Sequence, residues 1–313
     1  MSALESAVTD YLDWLVTHGY ATSTVRTRRY HLASFAQFLA DRDVDDPREV
    51  TPAHLDSYQR HLFHHKKRGG QPLSFRTQVQ RLVPVKGLFA WLTRAGVIVI
   101  DPALQLVLPK AEHRIPEAVL SVDEVEAVLA GPNTTTSLGL RDRAILEVFY
   151  SCAIRRNELI HLRVGDLDPA RGTLFVRQGK GARDRFVPIG ERARTWVTRY
   201  LDDVRPTLEG RGVNPALFLT ASGGSFAPDV LSRLVSAYVR AGAPDKRGSC
   251  HLFRHSTATL MLDAGADVRF IAEMLGHQKL ETTMAYTRVS MEKLREVHER
   301  CHPAEKWRGT GRS

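Results

Sequence analysis

The sequence predicts a mainly α-helical protein of two domains, with a small β-sheet confined to the second domain. Apolar residues recur at helical spacing throughout the N-terminal third, without the alternation that marks strands. A segment rich in proline and charge then interrupts the apolar pattern. Two short strand-like runs lie further on, either side of a glycine-rich turn. A chain of 313 residues is long enough for two separate cores.

Four amphipathic helices are predicted in residues 1–108, which we assign to the first domain. The second helix is expected to begin at Thr22–Thr24, whose hydroxyls can cap a helix. The third has Thr51 as its cap and Pro52 at the first helical position, where no backbone donor is needed. Pro84 either bends the fourth helix or marks its start. The first domain should therefore be all-α.

Residues 109–117 are predicted to be a linker, and residues 118–313 the second domain. The linker combines prolines with ionisable residues and has little apolar content, so it is expected to run extended. Ser121, followed three residues later by Glu124, forms a capping-box pattern that begins a helix. Another helix is predicted from about Leu140 to Phe149.

The small sheet is predicted from two β-rich runs in the second domain. Residues 173–177 and 185–189 flank the glycine-rich turn Gly179-Lys180-Gly181. That arrangement indicates a β-hairpin with Lys180 at or near its tip. The remainder returns to helices, so the second domain is mainly α with a small sheet.

Composition narrows the class of protein. Lys and Arg number 44 against 35 Asp and Glu, which favours a polyanionic partner, although this excess alone is weak evidence for nucleic acid. The three cysteines, Cys152, Cys250 and Cys301, are widely spaced and show neither a disulfide framework nor a CxxC metal motif. No signal-peptide pattern and no apolar run of membrane-spanning length is present. A cytoplasmic protein without membrane contact is expected.

Several short segments of the second domain carry phosphate-binding side chains. Arg155 and Arg254 could each present a planar fork of donors to a phosphate. His251 lies three residues before Arg254 and would share its helix face, while Glu158 could orient Arg155 in the same way. Fixed cations aimed at the non-bridging oxygens of a phosphodiester would stabilise the charge that develops there during attack.

A tyrosine and a lysine complete a possible reaction centre. Tyr286 could serve as a nucleophile if the arginine field favours its phenolate, because the free phenol has a pKa of about 10. Lys180, on a hairpin tip, suits a proton donor to the leaving alkoxide. No DxD pair stands beside these segments. We therefore expect phosphoryl transfer without a metal or other cofactor.

Five of these residues, together with His277 after Gly276, resemble in their order the catalytic set of the tyrosine site-specific recombinases, or phage integrases, and most closely their Xer branch. The segments around Gly179–Pro188, His251–Thr259 and Leu275–Thr287 read almost as that family's consensus, and the resemblance covers the whole chain. The set comprises Arg155, Lys180, His251, Arg254, His277 and Tyr286. One departure is Cys152-Ala153, where the family often has Thr-Gly, and we expect it to do little damage.

The resemblance implies a C-shaped clamp around duplex DNA, made of an all-α core-binding domain and an α+β catalytic domain. It implies that Tyr286 attacks a scissile phosphate to give a 3′-phosphotyrosyl link, and that two rounds of exchange pass through a Holliday junction. Arg155, Arg254, His251 and His277 would bind the phosphate and Lys180 would be the general acid. Double-stranded DNA is the implied partner, with a homotetramer on DNA or a heterotetramer with a related recombinase.

Supporting roles are expected for further residues. Glu158 and His255 are predicted to support the catalytic side chains. Basic side chains are predicted to contact the DNA backbone, although a solvated surface is the alternative reading for the run at 66–68. These are Arg26, Arg28, Arg29, Lys66, Lys67, Arg68, Arg183 and Arg185. Zinc at His251, His255 and His277 is the weaker reading, since no HExxH glutamate accompanies them.

Two other functions are compatible with parts of the sequence. One is a DNA-binding accessory protein that kept the fold and lost catalysis, which the intact set of six residues argues against. The other is a type IB topoisomerase, which would relax DNA without choosing a site. Integration or excision of a mobile element, dimer resolution and cointegrate resolution all stay open as the biological task.

Overall fold

The computed structural model describes residues 2–67, 69–110, 119–177, 184–210 and 214–276. The chain divides into two compact units, residues 1–114 and 115–313. The division falls within residues 111–118, which lie outside the described residues, as does most of the predicted linker. The predicted fold class is confirmed as mainly helical with one small sheet.

The first unit is a helical bundle. Over its described residues it contains no strand, only an isolated bridge between Lys66 and Pro72, so the all-α prediction is confirmed there. Its α-helices are α1 (Ala3–Thr17), α2 (Thr22–Ala40), α3 (Pro52–His64) and α4 (Phe75–Arg94), with a 3-10 turn at Pro47–Glu49.

The helix starts in this unit follow from local sequence, with that of α2 as the exception. Thr51 accepts a hydrogen bond from the His54 amide and Pro52 is at the first helical position, as predicted. α2 has Ala21 as its cap without a side-chain hydrogen bond, so the predicted threonine and serine cap is wrong. Pro84 lies inside α4, which Ser74 caps at its start. It therefore does not begin the helix, because burial of this face outweighs one missing backbone donor.

An aromatic core holds α2, α3 and α4 together. Phe35 of α2 packs edge-on against Tyr58 of α3 at 4.9 Å and against Phe89 of α4 at 6.1 Å between ring centroids. All three rings are fully buried. Such edge-to-face contacts add to the apolar burial that stabilises the bundle.

The second unit surrounds a core built on a central helix, α6, against which α8 packs along its length. Phe149 of α6 stacks on Phe253 of α11 at 6.5 Å between ring centroids. The α-helices are α5 (Val122–Ala130), α6 (Ser137–Cys152), α7 (Arg156–His161), α8 (Glu191–Asp203), α9 (Arg205–Glu209), α10 (Pro228–Gly242), α11 (Cys250–Asp263) and α12 (Val268–Leu275).

The sheet has three antiparallel strands in the order β1 (Leu167–Asp168), β2 (Thr173–Val176) and β3 (Arg185–Pro188). Val176 pairs with Arg185 at the end that leads into the connection between β2 and β3. The two predicted strands are confirmed. Lys180 and the rest of residues 178–183 lie outside the described residues, so the hairpin tip remains a prediction.

The predicted start of α5 is confirmed, because Ser121 and Glu124 form a reciprocal capping box. α6 begins at Ser137 and ends at Cys152, longer at both ends than predicted, with Thr136 as its cap. Over the residues described here, no helix is both long and apolar enough to cross a membrane.

Candidate active site

Arg155 stands at the junction between α6 and α7. α6 ends at Ala153 in a left-handed conformation (φ 48°), which turns the chain before Arg155 caps α7. Nη1 of Arg155 donates to Glu158 Oε1 at 2.8 Å, and the Arg155 amide donates to Glu158 Oε2 at 2.8 Å. The sequence prediction that Glu158 orients this guanidinium agrees with the geometry. Ala153 occupies the turn at the cost of a backbone region that glycine fills more easily.

Glu158 is a buried, ionised carboxylate. Burial opposes its ionisation, but hydrogen bonds from the Arg185 side chain and the Arg155 backbone, with both guanidinium charges, hold its pKa at about 2. It is therefore ionised near neutral pH, where it accepts hydrogen bonds from arginine side chains without competing for a proton.

Arg254 is buried on α11, with only 4 % of its surface exposed. Its Nη1 donates to the carbonyl of Ala153 at 2.8 Å and its Nη2 to the carbonyl of Leu275 at 2.7 Å. The side chain thus ties the end of α6 to the end of α12. Two fixed acceptors on one planar guanidinium hold it in a single orientation, as a preorganised donor requires.

Three arginines meet three consecutive carbonyls at the end of α12. Arg185 Nε donates to Met274 O at 3.0 Å, Arg254 to Leu275 O, and Arg155 Nη2 makes a long 3.5 Å contact to Gly276 O. A helix C-terminus leaves its last carbonyls without intrahelical donors and carries partial negative charge, so cations are favoured there. α12 therefore gathers the guanidinium groups immediately before position 277.

The cluster carries surplus positive charge. Arg155 and Arg185 share the carboxylate of Glu158, while Arg254 meets the same helix end through Leu275 O, so the described contacts bring three guanidinium groups together with one carboxylate. Such a surplus in a partly buried setting favours an anion, and planar guanidinium groups match the oxygens of a phosphate. The arrangement can therefore hold a phosphodiester and stabilise negative charge on it.

His251 and His255 lie one turn apart on α11, beside these arginines. His251 is exposed to solvent on one side. Its pKa is nevertheless lowered, first by the atoms packed around its ring and then by the positive charges of Arg254, Arg156 and Arg155. Burial, and next the charge of His251, lower the pKa of His255. Both imidazoles are therefore held neutral near pH 7, where they can donate a hydrogen bond without adding charge.

The lowered pKa values of His251 and His255 predict how the stability of the protein depends on pH. A histidine whose pKa is lowered by folding opposes the folded state once it is protonated, so its contribution is complete above the ordinary value of about 6.5 and is lost as pH falls below it. We expect the free energy of unfolding, measured with urea, to decrease as pH falls from about 7.5 to about 5.5.

The double variant His251→Asn/His255→Asn provides the comparison for this pH series. It should lose less stability than the wild type over the same range. Some loss should persist, because His31 and His61 of the first unit also have lowered pKa values. Identical pH slopes for the two proteins would show that the active-site imidazoles are not the groups that titrate.

Three of the six proposed catalytic residues are among the residues that the structure describes. Arg155, His251 and Arg254 converge with Glu158 as described above. Lys180, His277 and Tyr286 lie outside the described residues, as do Arg183 and Arg68. His277 is the residue directly after Gly276, so its place in the chain follows the helix end that the arginines contact.

Arg185 corrects the sequence analysis, which grouped it with DNA contacts. Its Nη1 and Nη2 donate to the two oxygens of Glu158 at 3.0 and 2.9 Å, and its side chain is only 12 % exposed. The guanidinium is turned inward because a buried carboxylate needs compensating charge.

The basic residues predicted to contact DNA from the first unit fall into two groups. Arg26 and Arg29 are exposed on α2, and Lys66 and Lys67 are exposed beside the small bridge after α3. Arg28 differs, because its guanidinium donates to the hydroxyl of Tyr11 and lies 5.3 Å from the centre of the Tyr20 ring. It joins α1 to α2, a structural role that the sequence analysis missed.

Cys152 has a structural role. It is fully buried at the end of α6, and burial raises the pKa of its thiol to about 12. A protonated, enclosed thiol is a poor nucleophile. Within the described ranges, no group of three or more His, Cys, Asp or Glu side chains is placed to hold a metal ion.

Comparison with known proteins identifies the family. Residues 118–293, more than half of the chain, match the phage integrase family. The chain belongs to the phage integrase family of tyrosine recombinases. Tyrosine recombinase XerC 2 of Ralstonia nicotianae is 45 % identical over 294 residues, covering 94 % of this chain and 84 % of that protein. Tyrosine recombinase XerD of Pseudomonas putida is 34 % identical over 306 residues, covering 97 % and 99 %.

Solved structures of the same fold agree with this assignment. The Tn1549 transposon integrase in complex with transposon right end DNA matches with a TM-score of 0.72 at 18 % identity, over 96 % of this chain and 99 % of that one. The XerH site-specific recombinase bound to difH substrate, in a post-cleavage complex, matches with a TM-score of 0.70 at 21 % identity, over 88 % and 79 %. These likenesses show the shared fold, and the XerC and XerD relatives show that the chain belongs to the Xer branch.

Proposed function

We propose that this recombinase cuts and rejoins double-stranded DNA with Tyr286 as nucleophile and Arg155, Arg254, His251 and His277 as phosphate-binding groups. The observation that carries the proposal is the convergence of Arg155 and Arg254 on neighbouring carbonyls at the end of α12, one residue before His277. That helix end gathers guanidinium groups around one place in the chain. A phosphodiester held there would meet fixed positive charge on its non-bridging oxygens.

The reaction follows from these groups. Tyr286 gives its phenolic proton to water and attacks phosphorus as the phenolate, a 3′-phosphotyrosyl bond forms and the bond to the 5′ oxygen breaks. Lys180 gives its proton to that leaving oxygen, so a free 5′-hydroxyl results. The hydroxyl of a partner duplex then attacks the phosphotyrosine and gives its proton back to Lys180, while Tyr286 leaves as the phenolate and takes a proton from water. The number of phosphodiester bonds is conserved, so no nucleotide hydrolysis is needed.

Four subunits on two duplexes are part of this proposal. Exchange of both strands of two duplexes through a Holliday junction requires four cleavages, and each uses the nucleophile of one subunit. A homotetramer supplies four identical nucleophiles, and a heterotetramer with a related recombinase supplies two of them. A cytoplasmic site of action agrees with a DNA substrate and with widely separated cysteines. Arg26, Arg29, Lys66 and Lys67, with Arg68 and Arg183, are proposed to contact the DNA backbone.

The test is covalent selection from a pool of nicked duplexes with a random central sequence. The full-length protein is incubated with the pool in EDTA, and SDS-resistant protein–DNA adducts are recovered and sequenced. We expect adducts at one position of one enriched sequence, and binding to that sequence should weaken steeply with salt. Adducts without sequence enrichment would contradict site choice and favour a type IB topoisomerase. Salt-sensitive binding without any adduct, alone or with cell extract, would favour the non-catalytic DNA-binding protein.

A further inference from the structure

Arg185 is a nearly buried cation that the reaction outlined above does not use. It is the first residue of β3, directly after the connection that contains Lys180. Its guanidinium makes three hydrogen bonds, two to Glu158 and one to the carbonyl of Met274. One side chain thus joins β3, α7 and α12. In the chain, β3 follows Lys180, α7 begins directly after Arg155, and α12 ends two residues before His277.

Two residues, Arg155 and Arg185, donate all the described hydrogen bonds to the carboxylate of Glu158. Its Oε1 accepts from Arg155 Nη1 at 2.8 Å and from Arg185 Nη1 at 3.0 Å. Its Oε2 accepts from the Arg155 amide at 2.8 Å and from Arg185 Nη2 at 2.9 Å. Arg185 therefore fixes both carboxylate oxygens in a plane. Without it, only Arg155 would hold Glu158, through its backbone amide and one guanidinium nitrogen, and the carboxylate could turn and carry the Arg155 side chain with it.

The end of α12 is shaped around Arg185. Gly276 ends this helix in a left-handed conformation at φ 63°. A Cβ built there would lie 3.2 Å from Cδ, Nε and Cζ of Arg185. Both the conformation and the close approach favour glycine at this position. The helix end thus leaves room for the guanidinium of Arg185, whose Nε–H donates a hydrogen bond to Met274 O.

β2, the strand that pairs with β3, is followed by a similar arginine–carboxylate contact. Arg177, directly after β2, donates from Nε and Nη2 to Asp166 Oδ1 at 2.9 and 2.6 Å. The connection that contains Lys180 therefore has an arginine–carboxylate pair at each end. Arg177 with Asp166 precedes it, and Arg185 with Glu158 follows it. Only the Arg185 pair reaches a residue of the catalytic set, because its carboxylate is shared with Arg155.

We propose that Arg185 is a positioning residue of this recombinase: it holds Glu158, and through it Arg155, in register with the end of α12. The inference rests on the proposed function of Arg155. Arg185 contacts the reacting phosphate in none of these steps. Its removal should displace the Arg155 guanidinium from the phosphate, and a misplacement of about 1 Å can slow an enzyme by roughly 10²-fold. Binding of the remaining DNA surface should change little.

The first experiment measures single-turnover adduct formation at saturating concentrations of the selected nicked duplex. Arg185→Gln removes the charge and the fork, and Arg185→Lys keeps the charge alone. We expect adduct formation to slow by roughly ten- to a hundredfold in both, with Kd for the duplex changed less than about threefold. The matched control is Arg205→Lys. It removes an arginine whose side chain is similarly enclosed, 10 % exposed against 12 % for Arg185, and which donates to Glu209 at 2.8 Å and to the carbonyl of Ala216 at 3.0 Å.

The second experiment tests the contact without DNA. Carbon-13 NMR of labelled glutamate carboxyls, with the Glu158 signal assigned by its loss in Glu158→Gln, follows the Glu158 carboxyl as pH is lowered towards acid unfolding. The wild-type carboxyl should stay ionised, in keeping with its pKa of about 2. In Arg185→Gln and Arg185→Lys it should begin to take up a proton at higher pH. The control variant should behave as the wild type does.

The outcomes separate this inference from the proposed function. Slower adduct formation and a raised Glu158 pKa in both Arg185 variants, with neither change in the control, would support positioning. Full activity of Arg185→Lys would overturn it, because charge alone would then suffice. An unchanged Glu158 titration would also overturn it. If the wild type forms no adduct, the proposed function fails, and the titration alone decides whether Arg185 fixes Glu158.

Discussion

Replacing Tyr286 with phenylalanine is expected to abolish the SDS-resistant DNA adduct completely while leaving salt-sensitive DNA binding intact. The variant lacks the phenolic oxygen, so no phosphotyrosyl bond can form. Its ring keeps the volume of the native side chain, so the fold should be preserved. The measurement is adduct formation on the selected nicked duplex, with Kd determined at several salt concentrations.

Other tyrosines are poor alternatives to Tyr286. Burial raises the pKa of Tyr150, Tyr200 and Tyr238 in the described part of the second unit, and that of Tyr238 reaches about 12 because its hydroxyl also donates to Asp142. The Tyr200 hydroxyl accepts a hydrogen bond from the Leu219 amide. A nucleophilic phenol needs the opposite environment, in which nearby cations favour the phenolate.

Tyr238→Phe is the matched control for the nucleophile. It removes the hydrogen bond to Asp142 in the same unit, which should lower stability by about 1 kcal/mol. The adduct should form at the wild-type rate. An adduct that persists in Tyr286→Phe, or that disappears in Tyr238→Phe without unfolding, would place the nucleophile elsewhere.

Local signals in the sequence predicted much of the fold. Thr51-Pro52 and Ser121 with Glu124 mark their helix starts because each pattern satisfies terminal backbone donors. Three hydroxyl residues misled the prediction for α2, since any of them could have capped it and the helix begins at the first. The two-residue strand β1 was missed because it is too short to show alternation.

The sequence was less informative about how the site residues are arranged. Spacing alone predicted that Glu158 meets Arg155 and that His251 lies near Arg254 on α11, because these pairs are one helical turn apart. It could not predict that Arg185 turns inward to Glu158. That contact joins residues 27 positions apart and depends on tertiary packing. The same holds for Arg254, whose acceptors are the carbonyls of Ala153 and Leu275.

Arg155→Ala is expected to lower the rate of adduct formation at saturating DNA by roughly 10³-fold, the upper range for loss of one group that stabilises developing charge. Kd should change far less, because many backbone contacts share the binding of the duplex. Arg155→Lys keeps the charge but loses the fork, so it should fall between alanine and wild type. Single-turnover kinetics separates these effects.

The control for this prediction is Arg194→Ala, which removes an arginine of the same unit whose described hydrogen bond is to the carbonyl of Pro169. It should leave the rate of adduct formation unchanged. Equal losses of rate and of DNA affinity in Arg155→Ala would mean that Arg155 acts only as a binding contact. A selective loss of rate would mean that the guanidinium is used in the transition state. The latter is expected, since Glu158 and the end of α12 fix Arg155 before DNA arrives.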